Sequence, residues 1–183
     1  RVVPVGRCAR HNRPPARPGA GRGAASQWLR CLPCGAAERS PNWRGDARAT
    51  ITGLSLATVP AATLRAAMEA ITYQLVVVAT TMRRAVPRPR AVIATGGQLI
   101  HSATWTQMLA DALNLPVMMS PQTEASSRGA ALLALYTLKR RPRLWSEVPQ
   151  RGRTFRPRAG AHTAYEAGRR RQDGLYQLLL PPS

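Results

Sequence analysis

The sequence predicts an α/β fold built on parallel strands. Three observations lead there. Ala91 to Thr95 (AVIAT) is a continuous apolar run, the kind buried on both faces of a parallel sheet. Gly96-Gly97 ends it, and residues of helical period follow from Ser102 to about Leu113. Val117 to Met119 is a second short apolar strand, and an Ala/Leu-rich helix runs from Glu124 to Leu138. Arg90 to Leu138 is therefore a βαβα unit whose first turn carries no side chains. Such a turn lets a backbone approach a ligand closely, most often a phosphate or nucleotide.

The other elements follow in chain order. Residues 1–30 show no periodicity, and Arg13 to Gly23 (RPPARPGAGRG) is low complexity and expected to be disordered. Turn signals stand at Ser40-Pro41-Asn42 and Gly45-Asp46. Ile51 to Ala57 reads as strand or loop. Pro60 sits where a helix begins, since its missing N–H costs nothing there. That helix is expected to run to about Ala85 and to bury Leu64, Ala67, Met68, Ile71, Leu75 and Val78. Pro87 and Pro89 close the segment. Ser102 is an N-cap for the helix that follows the glycines, with Trp105, Met108, Leu109 and Leu113 on one side. Asn114-Leu115-Pro116 turns the chain. Gly129 lies inside a helix, where Gly costs about 1 kcal/mol, and calls for close packing or ligand approach. Ala164 to Leu180 reads as one more helix.

Composition narrows the function. The 183 residues suit one domain with tails, and the low aromatic fraction of 5% predicts an aliphatic, Ala-rich core. No apolar run approaches the roughly 18–20 residues needed to span a bilayer. No signal-peptide pattern opens the chain, so a cytoplasmic setting is the default. The net charge of +19 invites a nucleic-acid reading. Its distribution argues against one: +7 in residues 1–37, +4 in 38–138 and +8 in 139–183. Of 27 basic residues only Lys139 is Lys. Near-exclusive Arg with Ala, Gly and Pro fits GC-rich coding or out-of-frame reading better than a nucleic-acid tail. Stacking aromatics are also scarce, with Trp28 alone in the first flank. Cys31 and Cys34 form a CxxC with Cys8 and His11 upstream, one ligand pair where a zinc site wants two. They read as free thiols.

Several fragments, in order, resemble one family. Glu38-Arg39-Ser40-Pro41-Asn42-Trp43, Asp46-Ala47-Arg48, Gly53-Leu54 and Arg65-Ala66-Ala67-Met68-Glu69-Ala70-Ile71 come first. Gly96-Gly97, Trp105-x-Gln107, Ala110-Asp111, Glu124-Ala125 and Gly129-Ala130-Ala131 follow. Phe155, Pro157, Tyr165 and Leu175-Tyr176 extend the likeness weakly into the tail. Together they resemble the C-terminal domain of FGGY carbohydrate kinases, closest in wording to gluconate or xylulose kinases.

The resemblance implies an RNase-H-like, actin-like ATPase domain, incomplete here, over residues 38–138. Residues 1–37 would be a low-complexity or out-of-frame segment, and 139–183 a basic tail with a terminal helix. It implies ATP and Mg2+ as cofactors and γ-phosphoryl transfer to a sugar or sugar-acid hydroxyl. The sugar would bind through a missing N-terminal domain, a homodimer is left open, and the membrane is excluded. Gly96, Gly97, Gln98, His101, Ser102 and Gly129 are the nucleotide-site residues it implies. The adenine side falls on His101 or Ser102, and Ser102 is weighed as cap ahead of ligand. No residue carries over as catalytic base or metal ligand. Glu38, Asp46 and Asp111 are the nearby acids, and the resemblance gives none of them that role. Trp105, Gln107 and Asp111 read as packing and capping groups. The alternatives are an Arg-rich nucleic-acid-binding protein and an inactive kinase relic.

Overall fold

A computed structural model describes residues 29–87, 89–122, 124–140 and 152–180. The low-complexity stretch 13–23, Cys8, His11 and Trp28 lie outside them. The elements are β1 (Arg30–Leu32), β2 (Thr50–Thr52), α1 (Pro60–Met82), β3 (Val92–Ala94), α2 (Gly97–Ile100), α3 (Ala103–Leu113), β4 (Val117–Met119), α4 (Ala125–Thr137), β5 (Thr154–Phe155) and α5 (Ala161–Leu179). The βαβα unit is present as expected, and β4 matches its expected bounds. Ser102 caps α3, accepting the Trp105 N–H at 3.2 Å. Asn114 then ends α3 in the left-handed conformation that Asn tolerates.

Two small sheets form. β1 and β2 pair antiparallel, with Arg30 opposite Thr52 and Leu32 opposite Thr50. The second sheet has the order β3-β4-β5. β3 and β4 run parallel with Val92 opposite Val117, and β5 runs antiparallel with Phe155 opposite Val117. Gly152 starts this last pairing by donating its N–H to the Met119 carbonyl at 3.0 Å. Helices α1, α3 and α5 pack on one another. Their core joins Tyr73, Val76, Met108, Leu109, Leu113, Val117, Met119, Phe155 and Tyr165. The core is thus less purely aliphatic than composition predicts. Tyr73 and Tyr165 meet edge to face, with centroids 6.3 Å apart.

Three expectations are corrected. α1 ends at Met82 rather than Ala85. Its buried residues are Ala66, Glu69, Ala70, Thr72, Tyr73 and Val76, while of the expected face only Met68 packs against the core. Leu64 is 64% exposed, Ile71 37% and Leu75 39%, with Ala67, Met68 and Val78 half-buried. The helix carries two apolar faces, and periodicity alone selected the one with more aliphatic side chains. The core takes the face that carries Tyr73 and Val76, with Ala66 and Ala70 on the same side. The third correction concerns the flanks. Leu29 to Cys34 is buried around β1, although residues up to 37 were expected to be unstructured. The tail beyond 139 does contain a helix, and that helix is built into the core through Tyr165.

Buried polar groups lock the C-terminal segment onto α3. The Asp111 carboxylate is wholly buried. Its Oδ2 accepts from Arg158 Nε at 2.9 Å and Nη2 at 2.6 Å. Its Oδ1 accepts from the Arg158 backbone N–H at 2.8 Å and from Gln107 Nε2 at 2.9 Å. Gln107 Nε2 also donates to the Arg156 carbonyl at 2.8 Å. Gln107 and Asp111 are one helical turn apart, which puts both on the face that meets this strap. Packing and capping are the roles expected of them, and the structure instead gives both side chains hydrogen bonds to this strap.

Candidate functional site

Because β3 and β4 are parallel neighbours, their C-terminal ends lie at the same edge of the sheet. The connection after β3 and the connection after β4 leave from that edge. The Ser120 N–H donates to the Ala94 carbonyl at 2.9 Å and ties the two exits together.

The first exit is the Gly-Gly turn. Gly96 has φ +107° and ψ 139°, a conformation that a side chain would strain, and it turns the chain from β3 into α2. Gly97 opens α2 at an ordinary φ, and a Cβ there would meet no protein atom within 4 Å. Gln98 continues α2. His101 closes it, donating its N–H to the Gly97 carbonyl at 3.1 Å with its ring exposed. Gly96, Gly97, Gln98, His101 and Ser102 thus form one continuous turn. The Ser102 hydroxyl is engaged as a cap, the role weighed ahead for it.

Gly129 belongs to the second exit. It lies four residues into α4, about 6 Å along the helix from Ala125. A Cβ on Gly129 would also meet nothing within 4 Å. Close packing against the described chain therefore does not account for this glycine.

Sequence reasoning missed the bolt that holds the turn. Thr106 is fully buried, and its hydroxyl lies 3.0 Å from both the Leu99 and Ser102 carbonyls. It fixes α2 onto the first turn of α3. Its signal was visible: a Thr four residues after a capping Ser can bond back to the carbonyl of i−4. Trp105 Nε1 donates to Thr72 Oγ1 at 3.0 Å and ties α3 to α1.

The three acids weighed from the sequence are all committed elsewhere. Asp111 holds Arg158. Asp46 pairs with Arg44 at 2.7 Å, and this partner draws its carboxyl down to about 2. Glu38 is buried, accepting from Gln74 Nε2 at 2.8 Å, from Asn42 Nδ2 at 3.2 Å and from the Tyr176 hydroxyl. Burial, and then the bond to Glu38, push the Tyr176 phenol up to about 12. The unfolded phenol ionises near 10. The stability it contributes is therefore complete below pH 10 and is lost as pH rises through about 12. Thermal melts across that range should fall, and Tyr176→Phe should flatten the fall. An unchanged slope in that variant would count against this contact.

Burial also raises the Cys31 and Cys34 thiols, with nearby Glu38 adding to the rise at Cys34. Both are buried free cysteines. Among the described residues, no cluster of three His, Cys, Asp or Glu side chains is placed to hold a metal ion. A cavity of about 20 Å³ between β1, α1 and α5 touches Arg30, Glu69, Tyr73 and Gln172. It has room for a water molecule and not for a nucleotide. The Gly-Gly turn is instead an open shelf.

Residues 20–138 match the FGGY family of carbohydrate kinases, C-terminal domain. The chain belongs to this family. The match begins upstream of Glu38, where the motif resemblance starts, and ends at Leu138. The fold is the RNase-H-like, actin-like ATPase fold of FGGY kinases. A glycerol kinase from Polaromonas sp. is 33% identical over 148 residues, covering 78% of this chain and 30% of that protein. A gluconokinase from Bacillus subtilis is 32% identical over 101 residues, covering 55% and 20%. A xylulose kinase structure from Lactobacillus acidophilus superposes with a TM-score of 0.72 at 24% identity, covering 84% of this chain and 31% of that one. A gluconate kinase structure from the same organism gives 0.70 at 25%, covering 82% and 31%. The chain spans less than a third of each of these FGGY proteins. No helix among its described residues is long and apolar enough to cross a membrane.

Proposed function

We propose that this chain is the C-terminal, nucleotide-binding part of an ATP-dependent carbohydrate kinase of the gluconate or xylulose type. One observation carries the reading. Gly97 and Gly129 sit on two elements that leave the same edge of the sheet, and no described protein atom requires either to lack a side chain. The family resemblance implies a nucleotide running along the first of these turns, where bare backbone would let it approach. Gly96 and Gly97 would run along the nucleotide, with Gln98 beside it. His101 or Ser102 would flank the adenine, and Gly129 would allow its approach. When bound, ATP supplies the phosphoryl group that is transferred. The residues of this chain bind and orient it.

Mg2+ finds no ligand set here among the described residues. Glu38 and Asp111 are bonded in structural networks, so no general base is assigned to this chain. Phosphoryl transfer would call for the sugar-binding part and its base, supplied by further sequence or in trans. The family domain would then take in β1 upstream of Glu38, since the match begins at residue 20, and the setting would be cytoplasmic.

Calorimetric titration of the chain with ADP tests the reading. Gly97→Val should weaken binding at least tenfold while the melting temperature stays nearly constant. Gly129→Ala should raise stability by up to about 1 kcal/mol, since Ala is the better helix former, yet weaken binding. Undiminished ADP affinity in both variants would refute the assignment.

A further inference from the structure

The turn that carries Gly96 and Gly97 has little stability of its own. α2 is four residues long, too short to persist without tertiary anchors. Gly97 is its first residue, so the place of Gly97 depends on what holds the rest of α2. Two anchors do so. The Leu99 side chain packs against the core, and the Leu99 carbonyl meets the Thr106 hydroxyl at 3.0 Å.

Thr106 is wholly buried, whereas Gly96 and Gly97 are exposed. Its hydroxyl has one proton and three acceptors around it: the Leu99 carbonyl, the Ser102 carbonyl at 3.0 Å and Met119 Sδ at 3.5 Å. Both carbonyls already accept a backbone donor. Leu99 takes the Ser102 N–H at 3.1 Å, and Ser102 takes the Thr106 N–H at 3.0 Å. The hydroxyl is therefore an extra tie on a turn whose backbone bonds are made. Packing alone does not call for it, since a hydroxyl costs free energy to bury unless it is bonded. Met119 ends β4, and Ser120 after it donates to the Ala94 carbonyl of β3. One hydroxyl thus reaches both exits from the sheet edge, the first through Leu99 and Ser102 and the second through Met119.

We propose that Thr106 is a positioning residue of the nucleotide site. It fixes where the Gly96-Gly97 turn stands relative to the end of β4, and through that placement it sets the affinity for ADP and ATP. It touches no nucleotide. A shelf of bare backbone binds by where its N–H groups point, and that is decided by the groups behind it. Without the hydroxyl, α2 keeps its Leu99 packing but loses the bond that fixes it against α3 and β4. The shelf then samples several placements, and the ligand has to select one of them, which weakens apparent binding. The inference rests on the nucleotide-binding reading and deepens it.

The test is ADP titration and amide hydrogen exchange on variants of the full chain, at a temperature where each is folded. Thr106→Val removes the hydroxyl and should weaken ADP binding by about tenfold, the worth of one hydrogen bond. Thr106→Ser keeps the hydroxyl and should bind within about threefold of wild type. Gly168→Ala, which crowds Tyr73 elsewhere in the core, should melt lower yet bind ADP normally. The His101 and Ser102 amides, bonded to the Gly97 and Leu99 carbonyls, should exchange about tenfold faster in Thr106→Val than in Thr106→Ser. If Thr106→Val does not fold, Thr106→Cys takes its place: a thiol is a weaker donor, and affinity should fall by about threefold. Wild-type affinity in the variant without the hydroxyl overturns the proposal. So does an equal loss in Thr106→Ser or in Gly168→Ala, which would show a merely structural role. If the wild-type chain binds no ADP, the nucleotide reading falls by itself. Amide exchange then decides the placement of the turn, and equal rates in Thr106→Val and Thr106→Ser overturn it.

Discussion

Replacing Arg158 with Ala should lower the unfolding free energy by about 3–5 kcal/mol, the usual cost of stripping a buried charge of its partner. The asymmetry of the pair explains why. The Asp111 carboxylate has no solvent contact, whereas the Arg158 side chain is 64% exposed. Removing the arginine leaves an anion inside the protein with only two neutral donors, Gln107 Nε2 and the backbone N–H of residue 158. Removing the acid instead leaves an arginine that water can solvate. Asp111→Asn should therefore cost clearly less than Arg158→Ala. Urea unfolding at constant m-value checks both. A loss below about 1 kcal/mol for Arg158→Ala would mean that water reaches the carboxylate and that the lock is not a lock.

Gly168→Ala should destabilise by about 1–3 kcal/mol or more, against the helix propensity that favours alanine. A Cβ there would lie 2.1 Å from the Tyr73 hydroxyl oxygen and 2.8 Å from its ring carbon. Tyr73 is only 5% exposed and cannot swing into water. Its hydroxyl has no hydrogen-bond partner among the described residues, and burial holds the phenol far above its ordinary range. Tyr73→Phe alone should therefore be neutral or stabilising, because it removes an unsatisfied polar atom. Placed in the Gly168→Ala background, it should recover part of the loss and not all, since the ring carbon still crowds the new methyl group. A double-mutant cycle measures the coupling. Simple additivity would show that the two residues do not touch. The contrast with Gly129 is direct: one glycine is demanded by a neighbouring ring, the other by nothing in the described protein.

The local signals were legible in the sequence because their causes are local. The AVIAT strand, the Gly-Gly turn, the Ser102 cap and the Val117–Met119 strand each depend on a few adjacent residues. The outward face of α1 was misread because the long aliphatic residues lie on one side and the core takes the other. Periodicity reports that a helix has apolar faces, and it cannot report which face finds a partner. The Arg158–Asp111 lock spans 47 residues, and Arg158 looked like one more charge in a basic tail. The Gly-Gly turn was visible as a turn. That Gly97 and Gly129 leave one edge of the sheet needed the parallel pairing of β3 with β4.

Glu38 has a consequence for how the chain is made. Its partners are Asn42 and Gln74, nearby in sequence, and Tyr176, which is 138 residues away. Cys34 and Ala47 likewise pack against Leu180. During synthesis, the β1–β2 pair leaves the ribosome well before the last helix, which brings the remaining partner of Glu38. Contacts this distant in sequence close slowly. A growing chain paused before residue 176 lacks the Tyr176 hydroxyl on Glu38 and the Leu180 cover over Cys34 and Ala47, so this end of the domain stays unfinished until the last helix is made.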